Sequence, residues 1–204
     1  MNVIRNSQTI LACLFFVSLS HAQQLTQEER DFVIGMLEEN SKRFLSDIEK
    51  LSETQWQYRP SAQQWSVAEV AEHITLSDGL MLSIAQKSLK SPAENEKSNA
   101  LTGKENSMIE RLKDRTQKSK APETLKPTNK FPTKKELITA FKIAREKTIV
   151  YVKNTKDPLK NHIAAHPLFG DLTAYQWLVM IPAHANRHVD QLEEVMAMKN
   201  FPVE

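Results

Sequence analysis

The chain has 204 residues, with 27 Lys or Arg against 25 Asp or Glu, and a single cysteine, Cys13. That length and an apolar fraction of 40% suffice for the core of one domain of ordinary size. The near-balanced charge gives no reason to expect a nucleic-acid partner, and one cysteine excludes disulfide scaffolds and sulfur-rich metal sites.

The opening MNVIRNSQT carries one charged side chain, Arg5, and leads into an apolar run over residues 10–20, shorter than a bilayer span. Ser20-His21-Ala22 sets small residues where signal peptidase reads. Residues 1–22 are therefore expected to be a secretory signal peptide cut after Ala22, with a retained N-terminal anchor as the alternative. The mature chain, residues 23–204, is then periplasmic or secreted and has no stable membrane anchor. Cys13 leaves with the leader, so a metal site in the mature chain must use histidine and carboxylate.

Four Ser/Thr-x-x-Glu/Gln capping boxes each precede an amphipathic segment, and they set the fold expectation. Thr26 with Glu29 opens the first helix, whose Phe32, Val33, Met36, Leu37, Phe44, Leu45, Ile48 and Leu51 form one apolar stripe. "SETQWQYRPSAQQW" follows as a short connection in which Pro60 blocks helix continuation. Ser66 with Glu69 opens the second helix, striped by Val70, Ile74, Met81 and Ile84. Residues 90–132, rich in Lys, Ser, Asn and Pro, read as a polar, partly disordered crossover, with one short amphipathic helix through Met108, Ile109 and Leu112. Thr133 with Glu136 opens the third helix and Thr173 with Gln176 the fourth, separated by a loop containing Pro158, Pro167 and Gly170. No strand pattern competes, so the expected fold class is all-α: a four-helix bundle in one domain, with a long crossover between helices 2 and 3. That crossover argues against a simple up-down-up-down order.

His184 and His188 lie four residues apart on the fourth helix, on the face shared by Trp177, Ile181, Leu192 and Val195. His73 lies in the inward stripe of the second helix, three residues after Val70. A buried imidazole is costly unless it is hydrogen-bonded or coordinates an ion. The two readings are core histidines satisfied by a hydroxyl or carbonyl, and a ligand set for a divalent cation. Three neutral imidazoles suit zinc, nickel or iron and leave one position open to a small-molecule substrate or ligand. Asp190, Gln191 and Glu194 are close enough in sequence to orient imidazole N–H groups. His166 and Trp177 are candidates for the pocket, and Glu72 or Glu69 for a general base.

"WSVAEVAEHI", followed after a long gap by "LFGDLTAYQWLVMIPAHANRHVDQLEEV", resembles the DinB-like superfamily. The resemblance implies a four-helix bundle with a metal on three histidines, here His73, His184 and His188. It also implies pairing into a homodimer, and an activity like that of thiol transferases, a thiol-dependent isomerase or metal-dependent hydrolases. An exported chain fits the hydrolase better, because the thiols used by those transferases are cytosolic. A metal- or ligand-binding bundle without catalysis is the alternative.

Overall fold

All four capping boxes close in the computed structural model, which describes residues 23–116 and 120–203. The leader expected over residues 1–22 lies outside the described residues. Thr26 starts α1 (Gln27–Ile48), Ser66 starts α3 (Val67–Ser88), Thr133 starts α6 (Lys134–Asn154) and Thr173 starts α7 (Ala174–Met196). In the Ser66 box, for example, Ser66 N donates to Glu69 Oε2 at 2.7 Å and Glu69 N donates to Ser66 Oγ at 3.3 Å. A fifth box, Ser52 with Gln55, caps the one-turn helix α2 (Glu53–Trp56). Each box satisfies two N–H groups that a helix start would otherwise leave unbonded.

The long helices bury two apolar clusters. One gathers Leu37, Leu82, Val152, Leu178 and Ile181; the other gathers Phe44, Ile74, Phe141 and Leu192. Phe44 and Phe141 meet at 4.5 Å between ring centroids, and burying each such side chain contributes roughly 1.5–3 kcal/mol. Along α1 and α7 the chain runs from the first cluster to the second, and along α3 and α6 it runs the other way. Since α3 and α6 are successive long helices pointing the same way, the chain between them must travel the length of the molecule. That is the physical reason for the long crossover.

The crossover is folded against the body over its described residues. It carries α4 (Asn95–Asn99), α5 (Glu105–Lys113) and a 3₁₀ turn at Glu123–Leu125. Met108 and Leu112 of α5 are buried, as the amphipathic spacing predicts. Arg187 Nη1 donates to the carbonyls of Leu112 (2.7 Å) and Asp114 (2.6 Å), and Gln176 Nε2 donates to Leu101 O at 2.7 Å. These bonds tie the polar segment to α7 through its own backbone, which composition does not reveal.

One expectation fails. The loop before α7 forms a two-stranded antiparallel hairpin, β1 (Ile163–His166) with β2 (Gly170–Thr173), in the register Ile163 to Thr173 and His166 to Gly170. The fold is thus mostly helical with a small sheet, not all-α. Strands of four residues containing Ala164 and Ala165 are too short to display alternation, and Gly170, at φ +71°, takes the turn conformation that Gly adopts freely.

Between the two apolar clusters lies a polar layer. Asn40, Asp78 and Arg145 are almost fully buried, from α1, α3 and α6. Arg145 Nη2 donates to Asn40 Oδ1 at 2.9 Å and stands 2.8 Å from Asp78 Oδ2, while Asn40 Nδ2 donates to Asn186 Oδ1 at 2.7 Å. Burial pushes the Asp78 carboxyl up to about 6, against the pull of Arg145. A charge at a stripe position, Asp78 four residues after Ile74 and Arg145 four after Phe141, is the sequence signal for such a pair.

Candidate metal centre

The histidines meet where α3 packs along α7. The i,i+4 spacing of His184 and His188 sets their rings one turn apart on a single face, with centroids 4.6 Å apart. His73 approaches from α3, 5.2 Å from His184 and 4.6 Å from His188 between centroids. One ligand atom from each of the three lies within 4.8 Å of those from the others, close enough to hold a metal ion. This is the grouping expected from the helical faces. Trp65, just before the start of α3, covers His73 at 5.0 Å between rings.

Two of the rings are held by carbonyl oxygens. Leu125 O accepts from His73 Nδ1 at 2.9 Å, and Gln191 Oε1 accepts from His188 Nδ1 at 2.9 Å. A carbonyl oxygen only accepts, so both Nδ1 atoms carry the proton and both Nε2 atoms keep a lone pair. Burial lowers the pKa of His73 and of His184, and it takes His188 to about 3. For His184 and His188 the neighbouring imidazoles add to the depression. All three rings are therefore neutral at pH 7, the state in which imidazole binds metals.

His184 Nδ1 is buried and has no hydrogen-bond partner among the described residues. A ring nitrogen withdrawn from water without a partner is costly, and beside two imidazoles with free lone pairs it marks a place that a cation fits. The purely structural alternative, three satisfied core histidines, explains His73 and His188 but leaves His184 unmatched.

The remaining candidates divide. Gln191 accepts from His188 Nδ1. Asp190 is instead drawn to Arg43 of α1, whose Nη2 lies 2.7 Å from its Oδ1. Glu194 accepts from Nε and Nη2 of Arg115, both at 2.7 Å. Carboxylates go to guanidinium groups because a charge-assisted bond to a cation is stronger than one to a neutral imidazole. Glu72 is committed as well: it accepts the backbone N–H groups of Thr128 (2.9 Å), Asn129 (3.0 Å) and Lys130 (3.3 Å). Glu69 serves its capping box and Arg59. His166 and Trp177 pack together at 5.1 Å between rings. The orienting role of Leu125 carried no sequence signal, because any residue supplies a backbone carbonyl.

The sequence model of the DinB superfamily matches residues 36–192, a span that contains all three histidines. The chain is also similar to a Bacillus subtilis (strain 168) protein, "Uncharacterized protein YuaE", at 30% identity over 150 residues, covering 74% of this chain and 88% of YuaE.

Proposed function

The chain belongs to the DinB superfamily, and from that premise we propose a four-helix bundle whose His73, His184 and His188 hold one divalent cation, zinc, nickel or iron, for a hydrolytic or transfer reaction on a small molecule. The bundle reading is supported by a closed ring of contacts, in which α1 and α3 each touch both α6 and α7. The observation that carries the metal reading is the convergence of three neutral imidazoles within 4.8 Å, one of them with a buried nitrogen that nothing else satisfies.

A cation bound there supplies Lewis-acid chemistry, polarising a group that it contacts and easing loss of its proton. The chain's own residues prepare the place. Leu125 and Gln191 fix the tautomers of His73 and His188, so that their lone pairs need no reorganisation. Trp65 and the Leu125 carbonyl of the crossover cover His73, while His184 and His188 keep part of their surface open.

A second reading, a bundle that holds a cation or ligand without turning it over, is favoured by one observation. Glu72 and Glu69, the carboxylates nearest His73 in sequence, are engaged in structural bonds and are not available as a general base. The apolar run before Ala22 supports export to the periplasm or beyond, and among the described residues no helix is long and apolar enough to cross a membrane.

Metal analysis of the purified protein tests the centre, and turnover of esters, amides and thiol conjugates by the loaded protein separates the two readings. His184→Ala should lose both metal and turnover; full occupancy in that variant would exclude His184 as a ligand.

A further inference from the structure

The hairpin and α5 build a second cluster against Trp177 of α7. The ring of His166 lies 5.1 Å from that of Phe169 and 5.1 Å from that of Trp177. Arg111 of α5 stacks over Phe169, 4.5 Å from guanidinium carbon to ring centroid, and its Nη2 donates to Leu168 O at 2.9 Å. One turn of the hairpin thus fixes both polar side chains.

The hydrogen-bond chemistry of this cluster has one sign. His166 Nδ1 accepts the backbone N–H of Leu168 (3.1 Å) and of Phe169 (3.3 Å). A ring nitrogen that accepts carries no proton, so the neutral ring bears its proton on Nε2. Burial and the Arg111 charge keep the ring neutral. The indole N–H of Trp177 is already used on Ala164 O at 3.1 Å. Arg111 has no carboxylate partner among the described residues: Glu105 accepts from Gln176, Glu110 pairs with Lys113 and Asp171 pairs with Lys97. The cluster presents an N–H donor and an uncompensated guanidinium on an aromatic floor.

Its position ties it to the histidines. Trp177, whose ring lies 5.1 Å from that of His166, shares the stripe of α7 that continues through Ile181 to His184 and His188. Resting on the metal-centre reading above, we propose that Arg111 and His166 recognise an acidic group, a carboxylate or phosphate, on a small molecule whose other end reaches the three histidines. The guanidinium fork matches either acid, and the His166 Nε2–H adds one directed bond. A neutral amide of the same shape leaves the guanidinium charge unmatched.

Phenylacetate and phenyl phosphate are the probes, with phenylacetamide as the neutral control. Each is titrated into the purified protein, once chelator-treated and once zinc-loaded, with binding read by calorimetry and by the imidazole NMR signals of His166. At least one acid should bind ten-fold or more tighter than the amide in both forms, and the tighter acid names the group. Arg111→Ala, at an exposed position, should remove that preference with zinc content unchanged, and His166→Ala should weaken acid binding in the same direction. Equal binding of acid and amide, or an acid preference that survives Arg111→Ala, would overturn the proposal. An acid preference in a protein that holds no zinc would overturn the metal reading alone, and zinc binding without any preference would overturn this one alone.

Discussion

His73 meets His188 edge-on, at 73° and 4.6 Å between ring centroids, across the contact of two long helices. The two rings are held differently, His73 from outside its helix and His188 from within it. Leu125, brought in by the crossover, turns His73, and Gln191, on the next turn of α7, turns His188.

Gln191 is therefore expected to matter for metal affinity without touching a metal. Gln191→Ala should weaken zinc binding roughly 10- to 100-fold, the usual effect of removing a group that orients a ligand. Asp190→Ala, which loses a partly exposed ion pair with Arg43, should leave affinity close to that of the parent. Competition titration against a chromophoric chelator measures both; equal losses in the two variants would contradict the separate roles.

The metal-free protein should be sensitive to acid, and the sign follows from the depressed histidines. Burial takes His188 from 6.5 to about 3 and lowers His184 and His73 in the same direction. Below about pH 6.5 the unfolded chain takes up protons that the folded chain refuses, so stability present above that pH is lost as pH falls toward the folded values. For His188 the loss between pH 6.5 and about pH 4 is roughly 3 kcal/mol, at about 1.4 kcal/mol per pH unit. Urea denaturation of chelator-treated protein across that range checks it. His188→Ala should flatten the dependence, and an unchanged slope in that variant would contradict the assignment.

The buried layer gives a stability prediction that is independent of the metal. Asp78→Ala leaves Arg145 without its carboxylate in the core and should cost about 3–5 kcal/mol. Replacing both, Asp78→Leu with Arg145→Met, should recover most of that loss, because apolar residues of similar volume need no partner. Denaturant midpoints of the single and double variants decide it; a double variant no better than Asp78→Ala would contradict the coupling.

The features legible in the sequence are the ones written locally. A capping box is two residues three apart, and His184 with His188 is two residues four apart, so Thr173, Gln176 and the α7 histidines could be read directly. The placement of His73 beside them followed from the inward stripe of its helix. The partners of Asp190 and Glu194 were not legible, because Arg43 and Arg115 arrive from α1 and from the crossover, far away along the chain. The hairpin leaves no sequence signal because its strands are too short for a period, and the docking of the crossover leaves none because backbone carbonyls such as those of Leu112 and Leu125 accept whatever their side chains are.

The most direct test of the metal centre is the metal content of the protein purified without chelator, beside His73→Ala, His184→Ala and His188→Ala. About one equivalent of a divalent metal per chain is expected in the parent, falling below about a tenth of that in each variant while the helical circular dichroism remains. A parent free of metal after zinc loading, or variants that keep a full equivalent, would contradict the three-histidine centre.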